Sequence, residues 1–169
     1  MRAELIELLK NLIVAGALAF LIITFVVQAF YIPSSSMETT LMVGDRIFVN
    51  KFIYRFQEPA RGELVVFNYP RDPARRFIKR IVGMGGEELA IRAGNLYIDG
   101  ELLEEDYLPE QDYRGNFGPV DIPEGHYFVL GDNRYNSEDS RHWGPLSRDK
   151  IVGRAFLIFW PPSRLGRID

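Results

Sequence analysis

The sequence predicts a mainly β protein with a single N-terminal transmembrane helix, and three observations predict it. No charged residue lies between Lys10 and Glu38. From Arg46 onward, short β-branched and aromatic runs alternate with Gly, Pro, Asn and Asp turn signals. No long helical period follows the apolar stretch. With 169 residues, the chain can bury one real core and at most a small appendage.

The first element is the apolar stretch Leu12–Ile32, broken only by Thr24 and Gln28. As a helix it would span about 31 Å, the thickness of a bilayer's hydrocarbon. Pro33 should close it, because a residue before proline is biased toward extended backbone. A cleaved signal peptide has a shorter apolar core that ends in small residues. Here the exit is Gln28-Ala29-Phe30-Tyr31-Ile32-Pro33, bulky and aromatic, which favours a retained anchor with Phe30 and Tyr31 at the interface. Arg2 and Lys10 precede the span and Arg46 and Lys51 follow it, so basic residues barely set its orientation. The reading adopted is a short cytoplasmic tail (1–10), an anchor (11–32) and a folded body on the outer side.

The body's expected strands are Arg46–Tyr54, Glu63–Tyr69, Arg76–Val82, Glu88–Arg92, Leu96–Ile98, Tyr127–Leu130 and Ile151–Trp160. Ala93-Gly94-Asn95 and Asp99-Gly100 read as tight hairpin corners. Residues from about Glu101 to Pro123 are acidic and rich in Pro and Gly (Pro109 and Gly118-Pro119 among them), and read as a surface excursion. The body is therefore an antiparallel β domain in two halves, 33–88 and 124–162, interrupted by a small β/loop insertion (89–123) and followed by a tail (163–169).

Composition excludes several functions. A net charge of −3 gives no reason to expect nucleic acid. The chain lacks cysteine, so no disulfide, thiol nucleophile or thiolate site exists. His126 and His142 are too isolated for a zinc motif, and neither a metal nor a cofactor is expected.

Three segments carry chemistry. Ser34-Ser35-Ser36 follows the anchor directly. Ser35 with Glu38 three residues on reads structurally as a capping box. The same helix start would point free N–H groups toward an oxyanion forming beside Ser36. Lys79 stands in a strand between Phe77 and Ile81 on one face. It is either an edge-strand charge that discourages aggregation or an ammonium whose pKa is pulled down by desolvation. Arg80 faces the other way and reads as structural. Gly131–Arg141 is a polar loop after an apolar run, either an Asx-stabilised turn or a source of partners for the lysine, Ser137 among them.

In this order behind one span, these segments resemble bacterial type I signal peptidase. The resemblance rests on Pro33-Ser34-x-Ser36-Met37-x-x-Thr40-Leu41, Gly44-Asp45 and Lys51-Phe52-x-Tyr54. It continues in Arg61–Phe67, Phe77–Gly83, Gly131-Asp132-Asn133, Ser137 and Asp139-Ser140-Arg141. It implies Ser36 as nucleophile, Lys79 as general base, the Ser34 hydroxyl with the Ser36 N–H as oxyanion hole, and Ser137 as the hydroxyl orienting Lys79. Asp139 with Arg141 and Asp132 with Arg80 would be supporting ion pairs. Ile32, Pro33, Met37, Leu41, Phe77 and Ile78 would line shallow apolar substrate pockets. The chain departs from the family at Thr39, where a proline commonly stiffens the backbone. Its Glu88–Pro123 region is short where some members carry a larger β subdomain, and it has one span where some have two.

The implied activity is a membrane-bound serine endopeptidase that removes signal peptides from exported preproteins after small residues (Ala-x-Ala). Its partners would be preprotein signal peptides and the lipid bilayer, with Phe52, Tyr54, Phe56 and Trp160 either resting on lipid or packed in the core. A monomer suffices. Alternatives are a Ser/Lys processing peptidase of an organelle inner membrane or of a conjugation or pilus system, and a non-catalytic membrane-tethered β scaffold. A self-cleaving repressor would share the chemistry but has no use for Leu12–Ile32.

Overall fold

The N-terminal helix stops earlier than the apolar pattern predicts. The computed structural model describes residues 2–108 and 113–168; Met1, Pro109 and Asp169, which fall in the expected tail, excursion and C-terminal tail, lie outside them. Helix α1 covers Arg2–Phe25, and Val27–Tyr31 form strand β1. The expected helix over Leu12–Ile32 is therefore wrong in its last two turns or so. A segment apolar on every side carries no period, so only pairing decides between helix and strand. Here β1 finds a partner in β2 (Arg46–Asn50), from Val27 opposite Asn50 to Tyr31 opposite Arg46. Among the described residues, no helix is long and apolar enough to cross a membrane.

The remaining strands are β3 (Leu64–Tyr69), β4 (Asp72–Gly83), β5 (Glu88–Arg92), β6 (Asn95–Ile98), β7 (Glu101–Leu103) and β8 (Phe117–Asp121). They continue with β9 (His126–Leu130), β10 (Leu146–Ser147), β11 (Ile151–Trp160) and β12 (Gly166–Arg167), and a short helix α2 covers Ser140–Trp143. The larger sheet runs β1-β2-β11-β3-β4-β9-β10, with β12 on β11, and is antiparallel at every pairing.

Much of the region read as a surface excursion is ordered. Strands β7 and β8 join β5 and β6 in a second sheet ordered β7-β6-β5-β8. Its corners are two-residue loops, Ala93-Gly94 and Asp99-Gly100. Both residues of each loop have positive φ, the turn that matches strand twist. A cluster including Val82, Leu89, Leu96, Phe128 and Leu130 joins the two sheets.

The expected C-terminal tail is docked as well. Ile168 is buried in the cluster that holds Ile32, Met37, Leu41 and Ile47. Arg164 Nε donates to Asp45 Oδ1 at 2.9 Å. Asp45 is itself buried and also accepts from the Met42 N–H at 2.8 Å. The turn after Leu41 is thus fixed from the far end of the chain.

Candidate active site

Strand β4 is paired on both sides for only part of its length. Against β3 it is in continuous register from Arg76 to Arg80, with Lys79 opposite Val65 and Arg80 opposite Leu64, and the register shifts before Asp72 pairs with Tyr69. On its other side, pairing with β9 begins only at Arg80, opposite Leu130. The edge from Asp72 to Lys79 stays open and borders a cavity of about 500 Å³.

Ser36 lies across this cavity in a single 3-10 turn, Ser35–Met37. Ile32 and Met37, both buried in the core, anchor the turn on either side. The capping box expected from Ser35 and Glu38 does not form. Ser34 is the N-cap residue, extended at φ −132° and ψ 156°, and its side chain caps nothing. Ser35 Oγ instead accepts from Asn136 Nδ2 at 3.0 Å. A three-residue turn leaves a capping box no helix to cap.

Lys79 Nζ is 2.7 Å from Ser36 Oγ and donates to the Ile78 carbonyl at 2.8 Å. Only 3% of the lysine is exposed. Its ammonium lies 5.5 Å from the Phe77 ring centroid, and no carboxylate is paired with it among the described residues. Burial therefore dominates and lowers its pKa from 10.5 to about 8, against the opposing pull of Asp139, Asp132 and Glu138. Ser34 Oγ lies 3.4 Å from Ser36 Oγ.

The loop after β9 holds the serine turn. The Asn133 N–H donates to the Ser36 carbonyl at 3.2 Å, and Asn133 Nδ2 donates to the Ser35 carbonyl at 3.1 Å. The approach requires glycine at 131, where a Cβ would sit 2.4 Å from the Ser36 carbonyl oxygen and 2.2 Å from Ser137 Oγ. Asp139 caps α2, accepts from the Gly131 N–H at 3.1 Å, and takes a bidentate pair from Arg141 Nε and Nη2, both at 2.8 Å. Burial alone would raise the Asp139 pKa, but the Arg141 pair outweighs it and the net shift is downward.

Arg80, on the opposite face of β4, is 1% exposed. Its Nε and Nη2 grip the Asp132 carboxylate at 3.0 and 2.8 Å. Thr40 Oγ1 donates to the same carboxylate at 2.6 Å. This bond, with the Leu41 N–H to Met37 carbonyl bond at 2.8 Å, ties down the loop in which Thr39 replaces the family's usual proline.

Of the residues that the resemblance implies for substrate pockets, Ile32, Pro33, Met37, Phe77 and Ile78 line the cavity. Two expectations need correction. Leu41 is fully buried behind the cavity in the core and does not line it. Ser137 does not bond to Lys79: its Oγ is buried without a full hydrogen bond among the described residues and faces the Asp139 carboxylate, whose ionised form it favours. Lys79 takes Ser36 Oγ and the Ile78 carbonyl as partners instead.

Other contributors were not anticipated. Phe30, Tyr31, Ile47, Val66, Arg75, Arg76 and Glu138 also line the cavity. No local signal marked the first two, since the apolar run that holds them carries no period and only its pairing with β2 shows a strand. Arg134, 3% exposed, forms a charge pair with Glu105. Tyr107, close by, stacks 3.9 Å over the Arg80 guanidinium. The region read as an excursion therefore reinforces the site's supports.

An antiparallel β body with a serine hydroxyl against a buried lysine defines the class: a hydrolase of the serine endopeptidase kind. Residues 5–160 match the family model described as signal peptidase, peptidase S26. The chain belongs to that family. It is 48% identical over 170 residues to a probable signal peptidase I-2 of Synechocystis, covering 95% of this chain and 76% of the relative. A signal peptidase I of Leptolyngbya laminosa is 42% identical, covering 98% of this chain and 85% of the relative. The crystal structure of a signal peptidase I from Enterococcus faecalis aligns with TM-score 0.52 and 35% identity, over 58% of this chain and 97% of that one.

Proposed function

We propose that this protein is a signal peptidase I that cleaves signal peptides from exported preproteins, with Ser36 as nucleophile and Lys79 as general base. The observation that carries the reading is the 2.7 Å contact between Lys79 Nζ and Ser36 Oγ at the wall of an apolar cavity. An ordinary lysine is protonated at neutral pH and cannot take a proton. One with a pKa near 8 is unprotonated often enough to act as a base.

An extended substrate adds as a strand to the open edge of β4, between Phe77-Ile78 and Ile32-Pro33-Ser34. Alternate side chains then point at a floor built from Ile32, Ile47, Val66 and Ile78. That floor is filled by branched side chains, which suits small residues such as alanine at the scissile position and two before it. Lys79 takes the Ser36 proton as Oγ attacks the scissile carbonyl. The carbonyl oxygen becomes an oxyanion facing the Ser34 hydroxyl and the Ser36 N–H. Ser34 suits this role because its hydroxyl caps no helix. Lys79 returns the proton to the departing amine as the C–N bond breaks and an ester to Ser36 remains. Lys79 then takes a proton from water as it attacks the ester, and returns that proton to Ser36 Oγ as the ester C–O bond breaks and the acid product leaves.

The reading includes a bacterial cytoplasmic membrane as the location, with the body on the extracytoplasmic side, and exposed apolar surface supports it. Leu5, Ile6, Leu8, Leu9, Leu12, Ile13, Leu18 and Phe20 are each at least half exposed, around every face of α1. Phe56 and Trp160 add exposed aromatic surface on the body. Such surface favours lipid over water. The protein acts as a monomer, since Ser36, Lys79 and the groove come from one chain.

The test is incubation of the detergent-solubilised full chain with a preprotein, beside Ser36→Ala. Shortening of the precursor by wild type alone is expected. Equal processing by the variant, or none by either, overturns the reading.

A further inference from the structure

We propose that Arg75 and Arg76 form a subsite for an acidic side chain of the substrate, a few residues from the scissile bond; the inference rests on the peptidase reading above. Both arginines line the same cavity as Ser36 and Lys79. Each guanidinium is held by aromatic rings and has no carboxylate partner among the described residues. Arg75 lies 5.5 Å from the Tyr69 ring centroid and 5.1 Å from that of Phe77. Arg76 lies 5.5 Å from the Phe30 centroid. Stacking of this kind fixes the plane of an arginine while leaving its donor fork free. The acid that shares the cavity, Glu138, is already engaged by the Tyr69 hydroxyl at 2.5 Å. The cavity wall thus carries two guanidinium groups without an ion-pair partner among the described residues, beside one carboxylate held by Tyr69.

Strand geometry sets the position they read. The open edge of β4 runs from Asp72 to Lys79. A peptide laid along it advances roughly 3.3 Å per residue, in step with the strand beside it. Arg76 precedes Lys79 by three residues in unbroken register, so it stands roughly 10 Å along the edge, and Arg75 follows it where the register shifts. A substrate side chain two to five residues from the scissile bond, on the arm that follows this edge, comes opposite them. The two arginines rest on different rings, Arg76 on Phe30 and Arg75 on Tyr69 and Phe77, so they offer that arm two separate donor groups on one cavity wall. A carboxylate there accepts bidentate hydrogen bonds from arginine, and a lysine or arginine there is repelled.

The experiment uses the detergent-solubilised full chain and synthetic peptides that share one cleavable bond. Each carries a single Asp, Ala or Lys at one of the five positions on either side. At one or two positions, two to five residues away on one arm only, Asp should raise kcat/KM about threefold over Ala and Lys should lower it by a similar factor, as expected of a partly exposed ion pair. The Asp-to-Lys ratio should fall toward one in the Arg75→Ala/Arg76→Ala double variant and invert in Arg75→Glu/Arg76→Glu. A ratio near one at every position in wild type overturns the subsite, as does a ratio unchanged in the double variant. It is also overturned if the variants lose only binding to vesicles containing anionic phospholipid, for the cluster then serves the membrane. If the Ala peptide is not cleaved, or is cleaved equally by Ser36→Ala, the peptidase reading falls and takes the subsite with it.

Discussion

Lys79 and Arg80 are neighbours on one strand, both buried, and the chain treats their charges in opposite ways. Arg80 points into a nest built for a cation, with two donors on the Asp132 carboxylate, one on the Gly62 carbonyl and a tyrosine ring over the guanidinium. Lys79 points to the face where the nearest polar atoms are a serine hydroxyl and one carbonyl. Its carboxylates act from beyond ion-pair range, so desolvation prevails. A buried cation with a carboxylate partner keeps its charge, and one without it gives up its proton more easily. The pleat of β4 separates the two outcomes by a single residue.

That contrast can be tested by removing each partner in turn. The largest effect is on turnover: Ser36→Ala or Lys79→Met should lower preprotein cleavage by roughly 10³-fold or more. Lys79→Met should nevertheless raise thermal stability. Lys79 has a folded-state pKa of about 8 against 10.5 when unfolded, so between these values the unfolded chain binds more protons and stability climbs with pH. Below about pH 8 the full cost of charging the buried amine is present, on the order of 3 kcal/mol. The methionine variant's gain should be greatest there and fade as pH approaches 10.5, as read by melting temperature. Loss of stability at pH 7 would break the comparison from the Lys79 side.

Arg80→Met should do the reverse, stranding Asp132 in the core at a cost of about 3–5 kcal/mol in denaturant unfolding. Glu105→Ala, which leaves the buried Arg134 without its carboxylate, should cost about 2 kcal/mol. The smallest effect is on Glu138→Gln. Its charge raises the Lys79 pKa from a distance, so the variant should move the rising limb of activity a few tenths of a pH unit lower.

How much of this was legible in the sequence depended on whether a residue's role was local. Strands β5 and β11 match the expected ranges residue for residue, because each is bounded by strong turn chemistry. Lys79 stood out because an amine between Phe77 and Ile81 breaks a local rule. Strand β1 was hidden because an unbroken apolar run has no period, and only its pairing with β2 shows that it is a strand. Strands β7 and β8 were hidden by their acidic, Pro-rich surroundings, although the hairpin corner at Asp99-Gly100 pointed to the first of them. Leu41 was misplaced because an apolar residue in a motif can face the groove or the core, and spacing does not say which. The Asn133 contacts to the serine turn and the Arg134–Glu105 pair join residues far apart in the chain, which no local pattern encodes.

The central claim is that Lys79 works as an unprotonated base because burial strips its charge. The pH dependence of kcat/KM for a preprotein, measured from pH 6 to 10, tests it most directly. The account predicts a single rising limb with a midpoint near 8. A limb near 10.5, or activity that does not change across this range, would contradict it.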